Sequence, residues 1–475
     1  MSQDFFRKTC LASIMSSSPT ISKMNSIPQI AGTLVVSLAS VSLGTALGYP
    51  TKALPQMATE TNLAVQLNQY EGSWFAALFW ISGIVFSPLG GALSGHLGRK
   101  RVILVTSPLV ALGWLVIGLA TNKTMLYIGR AMTAIFLRLH MSSVGVYISE
   151  TVHPKIRGTL VILPAFFMAC GMLTVWILGY FFTWRTTAFL VMIPMVVLFI
   201  GLIPLPESPY WLVEDGKHSL AKKSLQFFRG EAYDITEEMN EIVEKSESKK
   251  LYNSSSTLKR MTSSAFLKPF SCIGTLYLLG SWTGFNSILV YMDTILKESG
   301  TIDEGLGPIY VGTVRVLFAG ISPFVVKHLN PKWLFVTCQC ISTLAMSTIG
   351  TYVYLQAFHP DLPYLSAFSW IPLAMIVIIV IMRASGILPI SHILMNELYP
   401  TEIRTQSIGV TQSIFLLSGS FGVKLFPELK DALGMYGLCF LYTLVGFLSA
   451  LWGFLTIPDN RGKSLVKVEE MYENK

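Results

Sequence analysis

The sequence predicts an all-α membrane protein with twelve transmembrane helices, arranged as two related six-helix halves. Hydrophobic residues make up 52% of the 475 residues and charged residues only 13%, whereas charged residues are about a quarter of an ordinary soluble protein. Twelve apolar segments recur, each with roughly the 20 residues that a helix needs to cross a hydrocarbon core of about 30 Å. Finally, a short charged segment occurs once in each half with the same internal spacing.

The repeated charged segment reads YISETVHPKIRGTL in the first half and MNELYPTEIRT in the second. In each copy an acid stands seven residues before an arginine: Glu150 before Arg157, and Glu397 before Arg404. Internal repeats of this kind are typical of secondary transporters, whose two halves move against each other around a central site. The repeat therefore predicts two structurally related bundles.

The apolar segments define the order of the elements. The first six lie around 28–50, 72–94, 102–120, 125–148, 158–182 and 186–205. Six more lie around 266–292, 307–326, 333–355, 364–395, 405–426 and 434–458. The predicted organisation is a tail over 1–27, a bundle over 28–205, a linker with short helices over 206–265, a bundle over 266–458 and a tail over 459–475.

The distribution of lysine and arginine predicts the orientation. With both termini cytoplasmic, 25 of the 35 basic residues fall on the cytoplasmic side and six outside. Because positive loops stay cytoplasmic, this topology explains most of the net charge of +8 better than nucleic-acid binding does. We expect a monomeric, multi-pass protein of the plasma membrane whose partners are the lipid bilayer and a small-molecule solute.

Several motifs resemble the sugar-porter branch of the major facilitator superfamily. GGALSGHLGRKR at 90–101 is similar to that branch's loop pattern G-x-x-x-D-R-x-G-R-R, although Gly95 and His96 replace its Asp and Arg. PESPYWL at 206–212 resembles the branch's PESPRWL, and SETVHPKIRGTL at 149–160 resembles the insect facilitated trehalose transporters in particular. The resemblance covers roughly 28–465 and implies a carrier that works by alternating access.

Five charged residues are candidates for a cytoplasmic gate. We expect Glu150, Arg157, Glu397 and Arg404, together with Arg99, to form a clamp that closes the cytoplasmic side in the outward-facing state. The first span contains no acid, and proton-coupled carriers usually need a buried carboxylate. The sequence therefore favours passive transport.

The resemblance also implies where a sugar would bind, since the family holds it with hydrogen-bonding side chains near the midplane. In the seventh span Asn286 and Tyr291 match the family, and Trp282 lies beside them. Gly280 and Ser281, however, stand where the family has paired glutamines. An unpaired sugar hydroxyl costs about 1–3 kcal/mol, so these replacements change the expected site.

Basic side chains appear where the family has neutral ones. Arg138, Arg315 and Arg383 lie within spans, and His140 and His392 lie near two of them. Each arginine costs roughly 2.5–3.5 kcal/mol on insertion scales. One interpretation is that each snorkels or caps helix carbonyls. The other is that Arg315, Arg383 and the two histidines face the cavity, where an arginine can bind a carboxylate or phosphate through two hydrogen bonds.

The predicted function is facilitative uniport of a sugar, with trehalose or a hexose as first candidates. A carrier of a small organic anion and a non-transporting sensor on the same fold are the alternatives. The six cysteines have no metal-ligand spacing, and the chain has no nucleophile or nucleotide motif. We therefore expect no metal site, no cofactor and no enzymatic activity.

Overall fold

The computed structural model describes residues 25–251, 264–299, 305–362, 365–399 and 404–457. Within these ranges the regular structure is helical, and no strand is present. Most of the predicted N-terminal tail, part of the linker and the predicted C-terminal tail lie outside the described residues.

The first half contains six spans. The first four are single helices, Ile27–Ala58, Gln69–Leu97, Arg99–Gly118 and Lys123–Thr151. The fifth consists of Pro154–Leu160 and Leu163–Phe181, and the sixth of Trp184–Val191 and Ile193–Leu202. In the fifth and sixth spans the second helix starts with a proline in its first turn, where the missing N–H costs least.

Three linker helices follow, Pro209–Glu214, His218–Arg229 and Thr236–Leu251. They pack against one end of the first half. Arg229 is fully buried there, pairs with Glu238 and donates to the Thr151 carbonyl at 2.8 Å. We call this end of the molecule the linker side and the opposite end the distal side.

The second half also contains six spans, three of them interrupted. The seventh consists of Ser264–Ser281 and Phe285–Glu298, and the eighth and ninth are Gly307–His328 and Pro331–Phe358. The tenth runs through Ile371–Met382, a π-helical turn Arg383–Ile387 and Leu388–Leu398. The eleventh is Arg404–Lys424, and the twelfth is Phe426–Thr456, which is kinked at Gly434 where φ is +70°.

The interruption of the seventh span centres on Gly284. Its φ is +83°, in the left-handed region that favours glycine, and it caps the second helix of the span. A Cβ there would lie 2.3 Å from Cδ2 of Tyr442 in the twelfth span. The break therefore depends on glycine for both its backbone angle and its packing.

Nine described helices are long and apolar enough to cross a membrane, and the seventh, eighth and eleventh spans complete the predicted twelve. The first helix is longer than the predicted span of 28–50. The first helix does not end near residue 50 but continues to Ala58 through two prolines. Lys52, which the sequence placed in an external loop, is therefore buried inside that helix.

The halves pack mainly along three pairs of spans: the second with the eleventh, the fifth with the eighth, and the first with the distal part of the seventh. The second span also contacts the twelfth. At the level of the second and eleventh spans the Trp80 and Phe415 rings meet edge to face, 5.9 Å apart. The space between the halves is thus enclosed by spans from both repeats.

Candidate functional site

An ion pair joins the two halves on the distal side. Lys52 Nζ lies 2.9 Å from Asp293 Oδ2 and donates to the Gly305 carbonyl at 2.7 Å. The side chains of Lys52 and Asp293 are only 8% and 16% exposed. Next to this pair the Thr51 hydroxyl donates to the Leu289 carbonyl at 2.5 Å. The first and seventh spans are therefore closed against each other here, and we call the Lys52–Asp293 pair the distal latch.

Two further contacts cross the halves nearby. The Tyr70 hydroxyl donates to Asp431 Oδ2 at 2.6 Å, and Lys424 Nζ lies 5.0 Å from the centre of the Trp74 ring. These link the second span to the eleventh and to the start of the twelfth. In this conformation the distal side is closed.

The predicted gate on the linker side is partly assembled. Arg99 Nη2 lies 2.9 Å from Glu150 Oε1 and 3.3 Å from Glu214 Oε2 of the first linker helix. The Ser208 hydroxyl donates to the other oxygen of Glu150 at 2.5 Å. Glu150 therefore ties the third and fourth spans to the PESPYWL segment, all within the first half.

The other three gate residues are placed differently. Arg157 donates from Nε and Nη2 to the Val152 carbonyl at 3.3 and 3.2 Å. Glu397 is half-buried in the last turn of the tenth span. Arg404 begins the eleventh-span helix, but its side chain lies outside the described residues. The closure of the clamp between the halves stays a prediction.

The sugar-binding candidates of the seventh span differ in how free their polar groups are. Asn286 is 3% exposed, and its Nδ2 has no hydrogen-bond partner among the described residues. Tyr291 instead donates to the Val423 carbonyl at 3.2 Å and stacks on Phe426, with ring centres 4.3 Å apart. Trp282 is partly exposed at the helix break. Asn286 thus offers a donor, while Tyr291 holds the seventh span to the eleventh.

The two candidate histidines lie in different environments. His392 is exposed, and its Nδ1 lies 3.3 Å from the Tyr277 hydroxyl. His140 is fully buried in the fourth span, and neither ring nitrogen has a partner among the described residues. In this conformation His140 lies inside the first half, away from solvent.

The candidate arginines of the second half lie near the same aromatic ring. Arg315 and Arg383 are 9% and 6% exposed, and their guanidinium carbons lie 5.8 and 4.5 Å from the centre of the Phe285 ring. Arg383 Nη1 donates to the Gly280 carbonyl at 3.1 Å and to the Thr283 hydroxyl at 3.4 Å. Arg383 therefore caps the carbonyl end exposed by the break in the seventh span, as one of the two interpretations expects.

Sequence reasoning did not select a further arginine, Arg130. It is 1% exposed and donates from Nε to the Phe75 carbonyl at 3.2 Å and from Nη1 to the Ala46 carbonyl at 3.0 Å. Its guanidinium also lies 5.1 Å from the Phe75 ring, and the neighbouring Arg138 lies 4.4 Å from the Phe79 ring. The sequence signal that could have selected Arg130 was the presence of an arginine within an apolar segment. In the structure, Arg130 holds the first, second and fourth spans together.

Two six-helix halves that enclose a polar midplane, with ionic contacts on either side, have the architecture of a secondary membrane transporter. Residues 33–472 match the family model for sugar (and other) transporters, and the chain belongs to that family. It is a multi-pass membrane protein and not an enzyme.

The relatives extend this result. The facilitated trehalose transporter Tret1 of Apis mellifera ligustica is 29% identical over 95% of this chain and 89% of its own length. The Tret1 of Culex quinquefasciatus is 30% identical over 93% and 85%. Among solved structures, the xylose transporter of E. coli in an inward open conformation has a TM-score of 0.76, with 20% identity over 93% of this chain and 99% of that one. The predicted sugar-porter resemblance and all-α fold are confirmed.

Proposed function

We propose that the protein is a facilitative uniporter of a sugar, with trehalose and hexoses as the first candidates. Family membership and the similarity to trehalose transporters support a sugar. The main observation in favour of a passive mechanism is the set of groups around Arg130. Its guanidinium is satisfied by two carbonyls and two aromatic faces. The acids of the first, second and fourth spans are Glu71 and Glu150, both in terminal turns, so no carboxylate at the midplane of these spans can take up a proton.

The contacts on the linker side and the distal side indicate how the protein would open to each side of the membrane in turn. We assign the linker side to the cytoplasm and the distal side to the exterior of the plasma membrane, as the basic residues indicate. The structure then represents a form closed to the exterior by the distal latch. Opening of the latch, coupled to closure of the clamp around Arg99 and Glu150, exposes the midplane to the exterior.

Within the midplane Asn286 is the best placed group for a sugar. Its buried, unpartnered amide donor suits a sugar hydroxyl, which must recover the hydrogen bond that it gives up to water. Trp282 beside the helix break offers an aromatic face. Tyr291 positions this segment rather than offering its hydroxyl, because that hydroxyl is already bonded to Val423.

An organic anion is the second candidate, favoured by Arg315. This guanidinium is buried, and its Nη1 has no partner among the described residues. A carboxylate could accept from it through two parallel hydrogen bonds. The sensor alternative predicts binding without flux.

Uptake into proteoliposomes separates these functions. We expect saturable uptake of labelled trehalose or glucose down its gradient, unchanged by an imposed proton gradient when the membrane potential is clamped, and retained in Arg315→Asn. Stimulation by inward proton flow would exclude uniport. Uptake of a labelled monocarboxylate that Arg315→Asn abolishes would replace sugar with an anion. Sugar binding without any flux would indicate a sensor.

A further inference from the structure

A small polar void lies inside the second half, between the seventh, ninth, tenth and twelfth spans. Gln339 and Ser342 line it from the ninth span, Arg383 from the tenth and Tyr442 from the twelfth. It has room for about one water-sized sphere, so a sugar does not fit. All of the residues that line the void belong to the second half, so it lies within that half and not between the two halves.

Three polar atoms at this void lack hydrogen-bond partners among the described residues: Arg383 Nε, Gln339 Oε1 and Ser342 Oγ. Their residues are only 6%, 1% and 8% exposed. Buried polar groups nearly always have a partner, and an unsatisfied one costs about 1–3 kcal/mol. The void is thus built to hold something that forms hydrogen bonds.

The electrostatics around the void are positive. The guanidinium of Arg383 is buried beside it, and a second buried cation, Arg315, lies near the same Phe285 ring, 5.8 Å from its centre. Phe285 also lines the void and begins the second helix of the seventh span, which has no side-chain cap. The free N–H groups and dipole of a helix N-terminus favour an anion.

A water molecule would satisfy the hydrogen bonds but not the charge. The acids described in the spans of the second half, such as Asp293, Glu397 and Glu428, stand toward helix ends, and Asp293 is paired with Lys52. A buried cation without a counter-charge is costly. The Gln339 amide donates to the Gly446 carbonyl at 3.5 Å, the upper limit for a hydrogen bond. If the amide rotates so that its NH₂ faces an anion, only this weak hydrogen bond is lost.

We propose that this void binds one small inorganic anion of halide size, chloride in physiological media. Arg383, Ser342 and the first N–H groups after Gly284 donate to it. The anion joins the broken seventh span to the π-helical turn of the tenth, and so stabilises the second half whatever solute is carried.

The test compares thermal unfolding of the purified full-length protein in sodium chloride and in sodium methanesulfonate at equal ionic strength. We expect a melting temperature that rises saturably with chloride and with bromide. Arg383→Gln should abolish the rise. Ser342→Val, which fills the void but keeps Arg383 and its bond to the Gly280 carbonyl, should abolish it as well. Ser143→Val is the matched control, because Ser143 is a buried, unpartnered serine of the first half, and it should keep the full rise.

Equal melting temperatures of the wild type in both salts would overturn the proposal and would indicate that the void holds a water molecule instead. A chloride-dependent rise that persists in Ser342→Val would overturn the location. If Arg383→Gln does not fold, Ser342→Val alone decides, since it removes no charge. None of these results depends on which solute is transported.

Discussion

Three of the buried arginines among the described residues have different surroundings. Arg229 has a carboxylate partner, Glu238, and a carbonyl. Arg130 has two carbonyls and two aromatic rings. Arg383 caps one helix end but keeps an unpartnered Nε. The composition of a span gives only the cost of an arginine, whereas its role depends on which backbone groups a break or a neighbouring helix presents to it.

His153 is the residue for which the structure predicts a pH effect. It precedes the fifth span, and its Nδ1 accepts the Lys155 N–H at 3.3 Å. Burial lowers the pKa of His153, and the Arg229 cation lowers it further. Lys155 and Arg157 act in the same direction, while Glu238 opposes them. The folded protein therefore prefers the neutral imidazole.

The sign of the effect follows from linkage. Because the folded pKa lies below 6.5, the unfolded state takes up the proton first as the pH falls. Stability contributed at His153 should be constant above about pH 6.5 and should decrease between pH 6.5 and the lowered pKa. Melting temperatures of the purified protein from pH 7.5 to 5.5 measure this. His153→Asn keeps a capping acceptor but does not titrate, so its profile should lack this component. If His153→Asn loses as much stability as the wild type when the pH falls, a group other than His153 causes the loss.

At the scale of the element, the break in the seventh span gives the clearest prediction. In Gly284→Ala, a non-glycine residue in the left-handed region costs about 1–2 kcal/mol, and the added Cβ meets the Tyr442 ring at 2.3 Å. We expect a lower melting temperature and reduced uptake. Gly280→Ala is the control, since its Cβ meets nothing within 4 Å and its φ does not lie in the left-handed region. Equal stability of the two variants would contradict the described geometry.

The spans themselves could be predicted from the sequence, because crossing the bilayer requires about 20 apolar residues and this constraint is local. The distal latch could not be predicted from the sequence. Lys52 follows Pro50, and Asp293 stands near the end of a span, so both looked like loop-side charges. The first helix instead runs on to Ala58 and carries Lys52 into the protein. Which charges meet across the halves depends on tertiary packing that hydropathy does not encode.

For the whole molecule, the distal latch controls the balance between two conformations. Lys52 and Asp293 are both largely buried and come from different halves, so their pair exists only when the distal side is closed. Lys430 and Glu298 form another ion pair on the distal side, but both belong to the second half. Motion between the halves should break the first pair and leave the second intact.

Lys52→Gln should therefore shift the population toward the form open on the distal side, whereas Lys430→Gln should not. A coupling of about 1–3 kcal/mol corresponds to a change of roughly 5- to 150-fold in the ratio of the two forms. The measurement is the distance between spin labels at Thr59→Cys and Lys297→Cys, exposed distal positions on the two halves, with the six native cysteines replaced by alanine. The population of molecules with a longer distance between the two labels should increase in Lys52→Gln and stay at the wild-type level in Lys430→Gln. If the distance distribution of Lys52→Gln matches that of the wild type, the Lys52–Asp293 pair does not hold the distal side closed.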